Sequence, residues 1–411
     1  MSHQATKIDD EAWDRVVELT DGAASVCYQC GTCTATCPWG KLDDEPLTVR
    51  RIMREAQLGA DGDGETDGDG EGDEDSDLLY KCLTCRACEV NCPRDVDIVD
   101  AMIGLREGVV REDGQRPPGR LEGALWGVYE DENPWERPPS ERDDWLEKVP
   151  EEVDVQVGGE ADVLLYVGCV PSYDPALQGV PAAVLGLLDA ADVDVAVLGD
   201  DEVCCGDVVR QTGEDAFFED LAGQNAAAFA EVDPATVVTI SPHCTETFAA
   251  DYDLDAEVEH YTTYLADLVE SGDLELGSTA KTVTYHDPCY LARGEDAIEE
   301  PRRLLDAIGA EVVEMDESRH RTLCCGGGGG NMWVESDPEE RFADRRAKQA
   351  GDTGAEELVT ACPYCVQNLE DGVKKEGVDV PVRDLATVLY EAAGNAAGGT
   401  EVTKTTEVSG E

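Results

Sequence analysis

Seventeen cysteines fall into two patterns, each used twice. The first is Cys27-x2-Cys30-x2-Cys33-x3-Cys37-Pro38, which returns as Cys82-x2-Cys85-x2-Cys88-x3-Cys92-Pro93. Three thiolates spaced in this way wrap a loop around three corners of a cubane [4Fe-4S] cluster, while the fourth, before a proline, turns outward and ligates the other cluster. The spacing therefore assigns Cys27, Cys30, Cys33 and Cys92 to one cubane, and Cys82, Cys85, Cys88 and Cys37 to the other. Such centres move single electrons. A structural zinc site needs four thiolates in two CxxC pairs, whereas each run here carries cysteines at the wrong spacing for that. A disulfide framework fits no better, because the cysteine total is odd and Met1-Ser2-His3-Gln4 opens into an acidic segment with no apolar signal region.

The second pattern is an internal repeat. An offset of 120 residues places Cys169 on Cys289 and Cys204-Cys205-Gly206 on Cys324-Cys325-Gly326. After one inserted residue, Ser241-Pro242-His243-Cys244 falls on Cys362-Pro363-Tyr364-Cys365. The second copy thus has five cysteines and the first has four, with Ser241 where the fifth would stand. Adjacent cysteines chelate one ion poorly, but each can grip a different iron of a larger cluster, with the following glycine letting the backbone approach.

These residues carry a resemblance. The C-terminal half resembles the cysteine-rich CCG domains of heterodisulfide reductases, whose relatives include iron-sulfur subunits of glycolate, lactate and anaerobic glycerol-3-phosphate dehydrogenases. Cys27-Tyr28-Gln29-Cys30-Gly31-Thr32-Cys33 is similar to the ferredoxin-like subunit of heterodisulfide reductase, and the order of units resembles the fused two-cubane catalytic subunit. The resemblance implies an iron-sulfur oxidoreductase subunit relaying electrons through two cubanes to or from a CCG-bound cluster. In that family a complete five-cysteine set holds a noncubane [4Fe-4S] cluster at which disulfide is reduced. By motif matching this role falls on Cys289, Cys324, Cys325, Cys362 and Cys365. The departure at Ser241 leaves Cys169, Cys204, Cys205 and Cys244 to hold zinc, a further smaller cluster, or nothing.

Cys324-Cys325-Gly326 to Gly330, followed by Met332-Trp333-Val334-Glu335, also resembles the iron-sulfur oxidoreductases that accept electrons from electron-transfer flavoprotein and feed a membrane quinone. That implies a flavoprotein dehydrogenase or electron-transfer flavoprotein as partner, and a membrane cytochrome b or quinone reached through a partner. The five glycines are too flexible for a helix interior, and without the Lys-Ser/Thr ending they are no phosphate-binding loop. A loop around a cluster is expected. Two histidines stand beside the cysteines. His286 is placed to donate a proton to a substrate sulfur or, more simply, to bond backbone at a strand end. His243 could complete a zinc site with Cys169, Cys204 and Cys205. In a different class of reading, the CCG lobes are metal-stabilised interaction modules and only the cubanes are redox-active.

Composition bounds the rest. Ninety-two acidic against 31 basic residues give a formal charge of −61, resembling halophilic archaeal proteins. The charge is spread along the chain and reads as a solvated surface. Nucleic acid would be repelled. No segment approaches 18 consecutive apolar residues, so a cytoplasmic protein is expected, peripheral on the inner face of the membrane through a partner.

The elements that must position these cysteines follow from periodicity. Residues 9–20 and 47–58 read as helices flanking the first cubane loop, and the stretch 59–77, nearly all Asp, Glu and Gly, as a disordered insert. A small helical two-cluster unit over 1–110 is then followed by a linker over 111–155 holding Trp126, Trp135 and Trp145, expected to anchor it onto a surface. Two α/β lobes over 156–275 and 276–395 precede a flexible tail over 396–411. Short apolar runs at 163–167, 193–198, 237–240, 282–285, 312–315 and 358–360 alternate with helical patterns such as 297–308. This order specifies βαβ units with mainly parallel sheets. Cys169, Cys244, Cys289 and Cys362 then lie just beyond strand C-termini, where open α/β sheets bind ligands.

Overall fold

The computed structural model describes residues 22–42, 47–57, 78–108, 117–335 and 341–396, with isolated positions between 14 and 20 and at 110. The acidic insert, the tail beyond 396 and most of the helix expected over 9–20 lie outside the described residues.

Helices α1 (Ala23–Val26), α2 (Thr32–Thr36), α3 (Val49–Gln57) and α4 (Ile98–Gly108) surround the cubane-type loops. Leu47, Val49 and Met53 pack with Ile98, Ala101 and Met102 against Cys37, Cys82, Cys85 and Cys88. The same core cluster takes in Cys289, Tyr290, Leu323, Cys324 and Phe342, so it runs on without a break into the second lobe. Between them, α5 (Arg120–Asp131) carries Trp126 on its exposed side. Trp135 packs against Trp333 and Tyr364, and Trp145 is buried in the core shared by the lobes.

The first lobe contains β1 (Gln156–Val157), β2 (Val163–Tyr166), α6 (Cys169–Tyr173), α7 (Gly179–Ala190), β3 (Val195–Val197), α8 (Asp207–Thr212), α9 (Asp215–Val232), β4 (Thr236–Thr239), α10 (Pro242–Asp251), β5 (Glu257–His260) and α11 (Tyr261–Ser271). The second contains β6 (Thr282–His286), α12 (Glu299–Ala307), β7 (Glu311–Val312), α13 (Phe342–Asp352), β8 (Glu357–Thr360), α14 (Pro363–Glu376), β9 (Val382–Asp384) and α15 (Leu385–Ala396). Both sheets are parallel, in the orders β1-β3-β2-β4-β5 and β7-β6-β8-β9. Apart from the added edge strand β1, the two orders are the same, as a duplicated unit requires. The strands β2 and β8 are buried at every position, which is why β2 reads as an unbroken apolar run rather than an alternating one, while β8 buries Glu357 and Thr360 at its ends.

The lobes meet helix to helix. Residue Gly186 of α7 faces the Tyr390 ring of α15 so closely that a Cβ there would collide with it. Val184, Leu188 and Leu265 join Leu304, Leu385 and Leu389 in one core. The Tyr261 hydroxyl donates across the contact to Asp384 Oδ1 at 2.9 Å. Among the described residues no helix is long and apolar enough to cross a membrane.

Candidate iron-sulfur centres

The two cubane-type loops have the same backbone shape. Gln29 and Gly31 in the first, and Thr84 and Arg86 at the matching places in the second, all have positive φ, between 47° and 87°. For a β-branched residue such as Thr84 this is strained, at about 1–3 kcal/mol per residue. The surroundings must impose the curl. It wraps each loop around a cavity: one of about 380 Å³ is lined by Cys27, Cys30 and Cys33 with Cys92, and one of about 350 Å³ by Cys82, Cys85 and Cys88 with Cys37. The crossing is local chemistry. Pro38 opens a tight turn behind Cys37, and Trp39 Nε1 donates to the Lys81 carbonyl at 2.7 Å, drawing Cys37 to the second loop. The two environments differ: Cys30 is exposed, whereas Cys37, Cys82, Cys85 and Cys88 are buried.

In the second lobe, Cys289 follows β6, Cys324 and Cys325 lie in the loop after β7, and Cys362 and Cys365 begin α14. The Sγ atoms of Cys289 and Cys324 are 3.7 Å apart, and those of Cys325 and Cys365 are 3.5 Å apart. Gly326, at φ +98°, turns its N–H onto Cys324 Sγ at 3.3 Å. Contact with the Cys324 and Cys365 thiols, against burial and helped by His286, holds Cys325 well below the ordinary thiol range. Cys362 is lowered to about 6: burial, the largest influence, opposes this, but contacts with Cys365 and His243 outweigh it.

This set adjoins the buried cubane loop. Cys85 lies in side-chain contact with Cys324; that contact, opposed by burial and aided by the Arg293 charge, holds Cys85 at about 6. After Cys289 the chain makes one π-helical turn, Tyr290–Gly294, that places the Tyr290 hydroxyl 2.5 Å from Thr84 Oγ1 and directs Arg293 Nε to the Cys85 carbonyl at 2.6 Å. The five-glycine run explains the close fit. A Cβ on Gly328 or Gly329 would collide with the carbonyl oxygens of Leu83 and Cys82. Arg106, fully buried, seals this seam by donating to the Leu79, Cys82, Gln211 and Gly329 carbonyls.

In the first lobe, Cys169, Cys204, Cys205 and Cys244 line a cavity of about 360 Å³ with Asp207, Ser241, His243 and Tyr364. Ser241 Oγ and Asp207 Oδ1 are buried there without a hydrogen-bond partner. Arg142, from the linker, reaches to 3.7 Å from Cys169 Sγ and pairs with the buried Glu202 at 2.9 Å. Glu202 also accepts the Val167 and Gly168 N–H groups at 2.9 Å. All four thiols are pushed up, Cys169 first by its contact with Cys204 and then by burial.

Both histidines are buried and neither ring bonds to backbone. His243 lies on the wall of the four-cysteine cavity, but its Nδ1 is 3.1 Å from Asp207 Oδ2, its ring stacks on Tyr290 at 3.9 Å and meets Tyr364 edge-on, and it contacts the Cys362 thiol of the second lobe. His286 accepts at Nδ1 from Arg346 Nε at 2.9 Å; burial, then the Cys325 contact and Arg346, set its pKa, with the net direction downward. Sequence reasoning missed Arg142, Glu202, Asp207, Arg293 and Arg346. None of them lies in a cysteine motif except Asp207 and Arg293, a few residues downstream of one.

Sulfur groupings without disulfides, most of their thiols buried or half-buried, wrapped by strained loops or placed at strand ends, suit iron-sulfur clusters. Fold and thiol arrangement together define an iron-sulfur protein with a two-cluster unit and duplicated cysteine-rich lobes. The family descriptions that match are "4Fe-4S dicluster domain" over residues 26–97 and "Cysteine-rich domain", the CCG family, over residues 163–249 and 283–370. The chain belongs to the iron-sulfur oxidoreductase family that includes the CCG-containing subunits of heterodisulfide reductase.

It is 32% identical over 394 residues to a subunit of the dihydromethanophenazine:CoB–CoM heterodisulfide reductase of Methanosarcina mazei, covering 90% of this chain and 93% of that one. It is 33% identical over 436 residues to a Chromohalobacter salexigens protein named "Probable membrane-anchored ferredoxin", and 30% identical over 431 residues to the EtfAB:quinone oxidoreductase of Syntrophomonas wolfei. Those alignments cover 97% and 94% of this chain, but only 63% and 60% of the longer relatives. Among solved structures, a hypothetical protein from Helicobacter pylori shares the fold, with a TM-score of 0.54 at 10% identity over 95% of this chain and 74% of that one.

Proposed function

We propose that the chain is the electron-carrying subunit of a flavoprotein-linked oxidoreductase, working in the cytoplasm or at the inner face of the membrane through a partner. Iron-sulfur clusters, when bound, supply one-electron redox chemistry at potentials that charge and hydrogen bonding adjust. Cys27, Cys30, Cys33 and Cys92 would hold a cubane near the surface, where the exposed Cys30 marks the side open to a partner's flavin. Cys37, Cys82, Cys85 and Cys88 would hold the second cubane inside. Cys289, Cys324, Cys325, Cys362 and Cys365 would hold a noncubane [4Fe-4S] cluster, and Cys169, Cys204, Cys205 and Cys244 a four-thiolate metal centre.

The observation that carries this reading is the contact between Cys85 and Cys324, ligands of two successive centres, with the Arg293 charge beside both. Thr84 and Tyr290 reinforce the same junction. Two outlets are supported by relatives' names: a disulfide, as in the Methanosarcina mazei heterodisulfide reductase, or a quinone, as in the Syntrophomonas wolfei EtfAB:quinone oxidoreductase.

Replacing Cys324 by Ser tests the relay. Both cubane EPR signals should persist while turnover with the flavoprotein partner is lost; undiminished turnover with intact cubanes would overturn it. Oxidation of the anaerobic protein with and without a thiol then separates the outlets. A thiol-dependent paramagnetic signal places disulfide chemistry at the second lobe, and its absence favours quinone.

A further inference from the structure

We infer that Arg346 fixes His286 as an N–H donor to the Cys325 sulfur, so that the two are positioning residues for the second-lobe centre and not ligands of it. The inference rests on the five-cysteine reading above. Its geometry begins with Arg346, which is fully buried on α13. Arg346 Nε lies 2.9 Å from His286 Nδ1, and a guanidinium can only donate. His286 Nδ1 must therefore be an acceptor, and a neutral imidazole then carries its hydrogen on Nε2. The guanidinium cannot swing away, because its Nη1 donates to the Glu317 carbonyl at 2.6 Å and to Gln349 Oε1 at 2.7 Å.

The opposite ring nitrogen, Nε2, is buried and has no hydrogen-bond partner. A ring nitrogen of His286 and the sulfurs of Cys325 and Cys365 lie within 4.8 Å of one another, and the His286 ring is in side-chain contact with Cys325; with Nδ1 taken by Arg346, Nε2 is the nitrogen left to face that sulfur. Such a trio could be taken for a metal site, but the polarity is wrong. A metal-bound histidine donates its second N–H outward to a carboxylate or carbonyl; here the second nitrogen receives a hydrogen bond. A ring that carries hydrogen on Nε2 has no lone pair there for iron or zinc.

An N–H directed at a ligand sulfur favours the more negative, reduced state of a cluster, and the Arg346 charge behind the ring strengthens the donor. The first lobe lacks the device. Tyr166 occupies the place of His286, and its hydroxyl donates to the Val203 carbonyl at 2.6 Å. It is also the lobe with Ser241 in place of the fifth cysteine.

The test uses the anaerobically purified, cluster-loaded chain with ¹⁵N-labelled histidine, poised to the paramagnetic state of the second-lobe centre. Electron-nuclear double resonance should show an exchangeable proton coupling and no strong ligand-type nitrogen coupling. In His286→Phe the iron content should hold, the proton coupling should vanish, and the oxidised-to-reduced ratio at fixed poise should rise about tenfold, a fall of 59 mV for one electron. His286→Gln, whose amide can still donate, should restore part of that shift. If His286→Phe does not fold, Arg346→Met carries the test, with the same fall expected and His286 still present. Strong nitrogen coupling, loss of second-lobe iron in the histidine variants, or an unmoved potential would each overturn the inference while leaving the five-cysteine reading standing. Cubane signals without any second-lobe signal in the unaltered chain would remove both.

Discussion

The first and second lobes have the same strand order around their core and the same spacing from the first cysteine to the vicinal pair, yet they surround their thiols differently. In the first, Cys169 of the four thiols faces Arg142 and Glu202, an ion pair built from the linker and a loop, and every thiol is pushed up. In the second, five thiols meet His286, Arg293 and Asn368, and two of them, Cys325 and Cys362, are pulled down. Only the second brings a thiol to the cubane loop, Cys324 to Cys85, whereas the first meets that loop through the Glu246 carboxylate, which pairs with Arg86 at 2.5 Å. A duplicated scaffold thus fixes where sulfur sits, and a few polar residues outside the motif decide how readily that sulfur carries charge.

The sharpest way to break this contrast is Arg142→Met. It would leave the Glu202 carboxylate buried without its cation, a loss of about 3–5 kcal/mol. Chemical denaturation of the loaded protein should show that loss, against about 0–1 kcal/mol for the part-exposed pair partner Arg210→Met. Equal effects would mean the ion pair is not what orders the first-lobe site.

Ser241→Cys would sharpen the comparison instead. Its oxygen is already buried and unpartnered on the cavity wall, so sulfur there completes a fifth ligand. Iron per chain should rise, and in a Cys324→Ser background a new signal should appear; an unchanged iron content would show that the fifth cysteine is not what separates the lobes.

The smallest effect concerns the seam between them. Burial raises Asp384 to about 7, with Tyr261 as its hydrogen-bond donor. The folded chain then holds a proton that the unfolded chain releases near pH 4. Stability from this group is complete below that pH and is lost as pH rises toward 7. Asp384→Asn should flatten the stability profile over that window by at most about 1.4 kcal/mol per pH unit, and a slope equal to the parent's would refute the assignment.

Much of this was readable from spacing. The crossed quartets follow from Cys37-Pro38 and Cys92-Pro93, and the central strands from apolar runs buried on both faces. Strands β5 and β9 escaped notice because an edge strand such as Glu257-Val258-Glu259-His260 is half exposed and charged, and so looks like any other acidic stretch of this chain. The polar partners were hidden for a related reason. Arg142 and Glu202 lie 60 residues apart, as do His286 and Arg346, and among 92 acidic residues nothing local marks the few that are buried. The glycine run announced a loop, but not that its missing side chains make room for the Leu83 and Cys82 carbonyls.

Because Cys37 is lodged among Cys82, Cys85 and Cys88, and Cys92 among Cys27, Cys30 and Cys33, neither quartet is complete without chain from both sides of residues 58–77. Maturation of the two cubanes should accordingly be all-or-none, a half-loaded unit lacking one ligand at each centre. The same knot makes the intervening acidic stretch a freely adjustable length. With both of its ends tied, doubling it would add only about 0.6 kcal/mol of closure entropy, so evolution can enlarge or enrich it without retuning either electron carrier.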